Sequence, residues 1–338
     1  MLALSLWSDI KMQINRIGEF ALIELVKEKV FTKDKQVIVN IGDDAAVIRS
    51  TPNRLLIFTT DTLVEKIHFD LRYFTLEEVG WKAMAANLSD IAAMGGLPKY
   101  VLVTVGLPKS VKSQDVLQLY RGMNRIAKRY DCKIVGGDTT RVPQDLFITI
   151  ALLGEVEKGR FTTRNGAKKG DLICVTGNLG ESQAGLEYLK KHGRSRLPLV
   201  QKHLTPYPRI HEARTLVRGL KINSMIDISD GLSSELFHIA EESHLGAVID
   251  EAKLPVSPKC VKLASLLNLS PLSLALSSGE EYELLFTINK KEITKLNRMK
   301  KKLRISVIGE MVDRREGVKL VRRSGRVGIL KKTGFVHF

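Results

Sequence analysis

Five short acidic motifs are the residues of this chain best suited to chemistry, and most of them follow an apolar stretch. Surface carboxylates normally lie among lysine partners, whereas here one motif follows Leu55 to Phe58 and another follows Cys132 to Val135. Carboxylate, hydroxyl and carbonyl oxygens are the ligands that hard divalent cations such as Mg²⁺ prefer. If the fold brings the motifs together, they form an oxygen-rich metal site. The motifs are Gly42-Asp43-Asp44, Thr59-Thr60-Asp61-Thr62, Asn87-Leu88-Ser89-Asp90, Gly136-Gly137-Asp138-Thr139-Thr140 and Asp227-Ile228-Ser229-Asp230-Gly231.

The common phosphate-binding signatures are missing from the sequence. It contains no GxxxxGK[ST] loop, no GxGxxG loop and neither the HRD nor the DFG motif of protein kinases. If phosphates bind, bridging metal ions must therefore neutralise their oxygens, which requires several carboxylates. The motifs predict a metal-dependent enzyme of phosphoryl chemistry.

Each motif also fits a simpler structural role. Asp43-Asp44 suits a turn between strands, although adjacent like charges repel unless a cation lies between them. Asp61 suits a cap at a strand end. Asp90 is harder to explain structurally, because a charge on an alanine-rich helix face needs a partner.

The two later motifs allow similar alternatives. Gly136-Gly137 predicts a tight turn before Asp138, which would also bring backbone N–H groups close to a phosphate. Asp227 and Asp230 flank Ser229 at the start of a predicted helix, whose N-terminus could hold an anion.

Other candidate residues are weaker on the residues alone. His68 fits a half-buried strand histidine. Arg164 could grip a phosphate with its planar fork, but an exposed loop arginine explains it equally well. Glu280-Glu281 could line a site or cap a turn, and Phe335 is typical of a core side chain.

Length and composition predict an ordinary two-domain globular protein. A chain of 338 residues exceeds the usual size of one hydrophobic core, and we place the boundary at a charged turn, which gives domains 1–157 and 158–338. No stretch is long and apolar enough for a membrane span or a secretory signal, so we expect a cytoplasmic protein without membrane contact. Three distant cysteines, Cys132, Cys174 and Cys260, favour buried reduced thiols.

The net charge of +16 is compatible with nucleic-acid binding, but the basic residues are dispersed. We therefore favour a solvated basic surface that attracts a polyanionic substrate.

The elements that must position the motifs are strands and helices in alternation. We predict strands at Val37 to Ile41, Leu55 to Thr60, Val101 to Leu107 and Leu146 to Val156. Thr75 and Glu78 form a predicted capping box for a helix that runs to about Met94, and a second helix spans about Lys112 to Tyr130. Further strands and helices continue after residue 157, so the fold class is mixed α/β.

Together the ordered motifs resemble the thiamine-monophosphate kinase family, within the aminoimidazole ribonucleotide synthetase superfamily. The resemblance extends from Ile41-Gly42-Asp43-Asp44 through Ser277 to Leu284 and on to Gly334-Phe335-Val336-His337-Phe338. It implies two domains, an N-terminal sheet that forms a barrel with that of a second subunit, and a C-terminal α/β domain. It also implies that ATP and thiamine monophosphate, as substrates, meet around several Mg²⁺ ions.

The same resemblance implies roles for individual residues. Gly137, Asp138, Arg164 and Ser229 are expected to contact the nucleotide, and His68, Glu281 and Phe335 the thiamine phosphate. The family usually has Gly at the position of Ser278 and Asp at that of Glu281. The expected metal ligands are Asp44, Thr59, Thr60, Asp61, Asp90, Asp138, Asp227 and Asp230.

The expected reaction is direct in-line transfer of the γ-phosphoryl group. A phosphomonoester has a second pKa near 6, so the acceptor is largely a dianion at neutral pH and no side chain is expected to act as nucleophile or base. The alternatives are a purine cyclo-ligase or a selenophosphate synthetase of the same superfamily, or a nucleic-acid-binding protein. No cysteine precedes Cys132, which disfavours the selenophosphate enzyme.

Overall fold

The computed structural model describes residues 35–39, 43–300 and 302–337. The first part of the described chain forms a six-stranded sheet in the order β1-β2-β3-β6-β4-β5. All neighbouring strands are antiparallel except β4 and β5, which are parallel. Its strands are β1 (Val37–Val39), β2 (Ala46–Thr51), β3 (Arg54–Val64), β4 (Leu97–Leu107), β5 (Lys133–Arg141) and β6 (Phe147–Glu157).

Two long helices cover one face of this sheet. They are α1 (Leu76–Ala93) and α2 (Ser113–Arg129), which pack against each other. Thr75 and Glu78 form the predicted capping box at the start of α1. Nearly every residue of α1 from Val79 onwards is buried, because the helix also contacts β8 of the second sheet. A helix that is enclosed on all sides can hold polar side chains in precise positions toward both sheets.

The second part of the chain forms a seven-stranded sheet in the order β13-β12-β9-β11-β7-β10-β8. Its strands are β7 (Leu172–Thr176), β8 (Ile222–Asp227), β9 (Gly246–Asp250), β10 (Leu284–Ile288), β11 (Ile305–Val312), β12 (Val318–Val321) and β13 (Val327–Ile329). The helices are α3 (Glu181–His192), α4 (Pro198–Leu204), α5 (Ile210–Gly219), α6 (Leu232–Glu242), α7 (Pro258–Leu266), α8 (Pro271–Ser277) and α9 (Ile293–Met299). One hydrophobic core continues from the first sheet through α1 to β8 and β10.

Most predicted elements are present, with one clear error. Gly136-Gly137 does not form a tight turn, because β5 continues through both residues to Arg141. Gly137 is needed there for another reason: its φ is 154°, and a Cβ atom would lie 1.8 Å from the carbonyl oxygen of Val103. The residues are therefore a close strand contact and not a loop around a phosphate.

Smaller differences concern strand ends and short helices. The strand predicted at Leu55 to Thr60 extends to Val64, so Asp61 lies inside a strand and is not a cap. Sequence patterns did not predict α4, α5, α7, α8 and α9, which are short. The predicted end of β1 at Ile41 lies outside the described residues.

The structure also bears on the expectations about the cysteines and about membrane spans. All three cysteines are free and buried, as predicted. Among the described residues no single helix is long and apolar enough to cross a membrane; Pro258–Leu266 and Pro271–Ser277 pass that criterion only as a pair, bent by 112°.

Candidate active site

Helix α1 brings together carboxylates from three distant parts of the chain. Asp90 on α1, Asp44 before β2 and Asp227 at the end of β8 each offer an oxygen, and these oxygens lie within 4.8 Å of one another. Ser89 Oγ donates to Asp227 Oδ2 at 2.6 Å and thereby joins α1 to the second sheet. We call Asp44, Asp90 and Asp227 the acidic cluster.

Strand β3 supplies further oxygen atoms beside the acidic cluster. Because side chains alternate along the strand, the predicted metal ligands on β3 lie on two different faces of the sheet. Side chains alternate between the two faces of a strand, so Thr59 and Asp61 face α1 while Thr60 lies on the opposite, open face. Thr59 Oγ1 donates to Asp90 Oδ2 and contacts the carbonyl oxygen of Asp44 at 3.3 Å. The backbone N–H of Asp61 donates to Asn87 Oδ1 at 3.0 Å, which fixes β3 against α1.

Arg164 provides the nearest positive charge to the cluster. Its Nε donates to Asp44 Oδ1 at 3.0 Å, its Nη2 also contacts that oxygen, and its backbone N–H lies 3.2 Å from Asp43 Oδ2. The side chain is 22% exposed, so the expectation of a freely exposed loop arginine is wrong. Asp44 Oδ2 is buried and has no hydrogen-bond partner among the described residues.

Burial and mutual repulsion raise the pKa values of these carboxylates. Burial, followed by the charge of Asp44, raises the pKa of Asp227 to about 8, that of Asp43 to about 7 and that of Asp61 to about 6. Burial raises the pKa of Asp90 well above its usual value, and Asp61 and Asp227 raise it further. One arginine does not balance this many buried carboxylates, so the donor set fits divalent cations.

The loop after β8 continues the site. Ser229 and Asp230 both line the cleft that contains the acidic cluster, and the backbone N–H of Asp230 donates to Glu235 Oε1 at 2.9 Å. Glu235 lies in the first turn of α6 and is buried. Burial, followed by the charge of Asp230, raises its pKa well above the usual value.

Gly137 and Asp138 lie away from the cluster in the described chain. Asp138 on β5 shares a cross-strand row with Thr104, Thr149 and Thr62, so β4 and β6 separate it from β3. Three strand spacings amount to about 14 Å. Both residues are exposed, on an edge strand of the first sheet.

Aromatic side chains form another part of the cleft. The ring centroids of His68 and Phe335 are 6.1 Å apart, and His337 lies 5.1 Å from His68 and 4.8 Å from Phe335. Phe335 is 43% exposed, so it is not a core side chain. Its backbone N–H donates to the carbonyl oxygen of Asp230 at 3.1 Å, which ties this end of the chain to the acidic side.

His68 is neutral in this environment. Burial lowers its pKa to about 4, and the charges of His337 and Lys82 act in the same direction. The backbone N–H of Val64 donates to His68 Nδ1 at 3.0 Å, so the ring proton resides on Nε2. A neutral ring with one defined donor suits contact with a flat ligand.

Glu281 lies behind the wall of the cleft. Its side chain is 1% exposed, accepts from the backbone N–H of Ser182 at 3.0 Å and from Ser278 Oγ at 2.7 Å, and lies 2.6 Å from Lys202 Nζ. Its neighbour Glu280 lines the cleft instead. The predicted substrate contact of Glu281 therefore has no direct path in this arrangement.

The cleft has a volume of about 1380 Å³, large enough for more than one ligand. Its lining unites most residues that the sequence singled out, namely Asp44, Thr59, Thr60, Asp61, His68, Asp90, Arg164, Asp227, Ser229, Asp230 and Phe335. Gly137, Asp138 and Glu281 are not among them.

Sequence reasoning overlooked several residues that shape the site. Lys82 is a charged residue between Trp81 and the apolar run Ala83-Met84, and that context was the available signal, because a charge on a buried helix needs a partner. Glu235 and His337 carried no signal of their own, since nothing local distinguishes them from surface residues. Glu280 was not overlooked, because Glu280-Glu281 was expected either to line a site or to cap a turn.

Comparisons with known proteins agree with this arrangement. Residues 42–156 match the family model for the N-terminal domain of AIR synthase related proteins, and residues 168–321 match the model for the C-terminal domain. The architecture is thus the two-domain mixed α/β fold of that superfamily.

Relatives that match over nearly the whole chain identify the family more narrowly than the domain models do. The chain is 41% identical over 331 residues to a thiamine-monophosphate kinase of Buchnera aphidicola subsp. Schizaphis graminum, covering 95% of this chain and 99% of the relative. It is 35% identical to the thiamine-monophosphate kinase of Bacillus subtilis, with coverage of 95% and 100%. The solved structure of AaThiL complexed with AMPPCP and TMP superposes with a TM-score of 0.85 at 35% identity, covering 97% of this chain and 100% of that one.

Proposed function

The chain belongs to the thiamine-monophosphate kinase family, and from this premise we propose that it transfers the γ-phosphoryl group of ATP to the phosphate of thiamine monophosphate. The product is thiamine diphosphate. The observation that carries the proposal is the convergence of Asp44, Asp90 and Asp227 in one cleft with the ring pair of His68 and Phe335. The first set suits metal-bound phosphates and the second suits a flat heterocycle.

The metal requirement follows from the donor set. Asp44, Asp90 and Asp227, with Thr59 and Asp61 beside them, would hold Mg²⁺, since oxygen ligands predominate and Asp44 Oδ2 is buried without a partner among the described residues. When bound, such ions neutralise phosphate oxygens and align the acceptor with the nucleotide. Thr60, Asp138 and Asp230 remain predicted metal ligands.

The protein side chains contribute binding and orientation. Arg164, anchored on Asp44, has a planar guanidinium suited to a nucleotide phosphate, and Ser229 lies close by in the loop after β8. His68 and Phe335 hold the thiamine rings. No side chain needs to remove a proton, because the acceptor phosphate is already largely a dianion at neutral pH.

We also propose that the protein works as a homodimer. The open face of the first sheet exposes Phe58, Tyr100 and Leu102, each between 43% and 51%. A contiguous apolar face of this kind is typical of an interface. The same face carries Thr60 and Asp138, so a second subunit would enclose predicted ligands that a single chain leaves open. Light scattering tests this: Leu102→Glu should produce monomers, and a wild-type monomer would contradict the proposal.

The compartment is proposed to be the cytoplasm, where ATP is abundant and where thiols such as those of Cys132, Cys174 and Cys260 stay reduced.

The reaction itself is tested with purified protein, ATP, Mg²⁺ and thiamine monophosphate. We expect thiamine diphosphate in the complete mixture and none when a chelator replaces the metal. Free thiamine in place of the monophosphate is the control for the acceptor. Absence of product with the monophosphate, or product from free thiamine, would overturn the assignment.

A further inference from the structure

Residues 331–337 pass the start of α6 without forming a helix or a strand, and one serine holds them there. Ser233, in the first turn of α6, is 0% exposed. Its Oγ donates to the carbonyl oxygen of Lys331 at 2.7 Å and accepts from the backbone N–H of Thr333 at 3.2 Å. One hydroxyl group therefore binds two backbone groups of this stretch, which we call the 331–337 segment.

A second anchor lies at the loop after β8. The backbone N–H of Phe335 donates to the carbonyl oxygen of Asp230 at 3.1 Å, and the N–H of Asp230 is itself held by Glu235. Gly334 permits this approach, because a Cβ atom at that position would lie 2.7 Å from the Asp230 carbonyl oxygen and 3.2 Å from Ser234 Cβ. The 331–337 segment is thus fixed at two points, one on each side of Gly334.

These two anchors determine where the ring of Phe335 lies. The ring is 43% exposed and packs beside His68 and His337 in the cleft. All residues of the 331–337 segment are exposed, so burial of apolar surface contributes little to holding it. Segments with few buried contacts open locally at small cost in free energy. The hydrogen bonds made by Ser233 and Asp230 therefore carry much of the task of keeping the ring in the cleft.

We propose that Ser233 is a positioning residue for thiamine monophosphate, because its hydroxyl group holds the 331–337 segment and thereby keeps the ring of Phe335 in the cleft. This rests on the proposed function, in which Phe335 contacts the thiamine rings. Ser233 is not among the residues that line the cleft in the described chain, so it acts through the segment and not by touching the substrate. When only a fraction of the molecules has the ring in place, the apparent affinity falls by that fraction.

The first test measures equilibrium binding of thiamine monophosphate without ATP, together with steady-state kinetics. Ser233→Ala should raise the Kd and the KM for thiamine monophosphate about tenfold, as expected if the ring is in place in about one tenth of the molecules. The kcat and the KM for ATP should stay within about twofold of wild type, because a saturating substrate restores the bound arrangement. Wild-type affinity in Ser233→Ala would overturn the proposal.

Ser224→Ala is the matched control. Ser224 on β8 is also 0% exposed, and its Oγ lies 2.7 Å from Thr287 Oγ1, within the second sheet and outside the lining of the cleft. This variant loses a buried hydroxyl group but leaves the 331–337 segment untouched. It should bind thiamine monophosphate as the wild-type protein does. Equal weakening in both serine variants would show a general loss of stability and contradict a positioning role.

A double-mutant cycle tests whether Ser233 acts through the ring. Phe335→Ala removes the ring, so adding Ser233→Ala to it should weaken binding no further. If the two losses add instead, the serine acts independently of Phe335 and the proposal is wrong.

Gly334→Ala disturbs the other anchor and leaves Ser233 in place. The added methyl group should push the 331–337 segment away from Asp230 and weaken binding of thiamine monophosphate about as much as Ser233→Ala does. Gly328→Ala is its control, since a Cβ atom there would meet nothing within 4 Å. If Ser233→Ala fails to fold, Gly334→Ala decides the question, and wild-type affinity in that variant would refute the positioning role.

Hydrogen–deuterium exchange of the protein without ligand examines the contact itself. The backbone amides of Thr333 and Phe335 should exchange faster in Ser233→Ala than in wild type, whereas Ser224→Ala should leave their exchange unchanged. Unchanged exchange of the 331–337 segment in Ser233→Ala would contradict the proposed contact.

The two conclusions fail in different ways. A wild-type protein that binds thiamine monophosphate but forms no thiamine diphosphate contradicts the proposed function alone. A protein that forms thiamine diphosphate, and whose Ser233→Ala variant keeps the wild-type KM for thiamine monophosphate, contradicts the role of Ser233 alone.

Discussion

Two groups of buried carboxylates in this protein differ in how their charge is compensated. The acidic cluster of Asp44, Asp90 and Asp227 has Arg164 beside it, and its pKa values are raised. The second group is Glu281 and Glu283, which share Lys202; Glu283 is also paired by Arg209 and accepts from Thr176 Oγ1 at 2.8 Å. Burial opposes ionisation of Glu283, but Arg209 and Lys202 hold its pKa below the usual range.

The difference separates a binding role from a structural one. A carboxylate whose charge is met by protein side chains contributes to the fold and offers little to a ligand. Carboxylates left with excess negative charge gain most from an external cation. The same contrast distinguishes Glu281, whose partners belong to the protein, from Glu280, which faces the cleft.

Removal of one member of the acidic cluster should have the largest effect on activity. Asp90→Asn is expected to lower kcat at least about a thousandfold, because metal-dependent charge stabilisation supplies several kcal/mol. The fold should remain intact, since the change also relieves repulsion with Asp61 and Asp227. Steady-state kinetics and circular dichroism measure the two effects. Wild-type activity in this variant would count against a metal role for the cluster.

Removal of a partner from the second group should affect stability more than chemistry. Arg209→Met leaves Glu283 with Lys202 alone and should lower the free energy of unfolding by about 3 kcal/mol. Chemical denaturation measures it. Arg125→Met is the matched control: Arg125 pairs with Glu77 at the surface at 2.6 Å, with 57% of its side chain exposed, and its loss should cost less than about 1 kcal/mol. Equal losses of unfolding free energy in Arg209→Met and Arg125→Met would contradict the distinction between the two groups of carboxylates.

Divalent cations should stabilise the protein through the acidic cluster alone. At a Mg²⁺ concentration about a hundredfold above Kd, ligand binding adds about 2.7 kcal/mol to the free energy of unfolding. The resulting rise in Tm should disappear with a chelator and in Asp227→Asn, but persist in Arg209→Met. A rise of the same size in Asp227→Asn would show that the cations bind elsewhere.

In metal-free protein, the contributions of the two groups to stability should change with pH in opposite directions. Asp227 has a native pKa of about 8, above its ordinary value of 3.8, so between these values the native state holds more protons than the unfolded state. Its contribution to stability therefore falls as pH rises through that window. Glu283, whose pKa is lowered, contributes stability above its ordinary value of 4.5 and loses it as pH falls below.

Variants separate these pH effects. With a chelator present, Asp227→Asn should flatten the decline of Tm between pH 5 and pH 8, and Glu283→Gln should flatten only the decline on the acid side. The scale is about 1.4 kcal/mol for each unit of pKa shift. Identical profiles for both variants would refute the distinction between the groups.

Much of the fold was predictable because its signals are local. The capping box of Thr75 and Glu78 identified α1, and apolar β-branched runs identified most strands. The short helices α4 and α5 were not predicted, because the packing of α4 against α3 and of α5 against α1 stabilises them more than their own sequence does. The error at Gly136-Gly137 arose because a close strand contact and a turn both require glycine.

The sequence by itself determined the kinds of ligand that this protein can offer, since carboxylates after apolar stretches already implied metals and phosphates, and the resemblance to the thiamine-monophosphate kinase family implied a heterocycle. The tertiary structure decided which of them meet. Ser89 and Asp227 are 138 positions apart, and their contact exists because α1 is enclosed between the two sheets. Likewise, the tertiary structure decides which of two adjacent glutamates faces the cleft, since Glu280 lines it whereas Glu281 is 1% exposed and pairs with Lys202. Local residue patterns do not encode such choices, because packing against distant segments sets them.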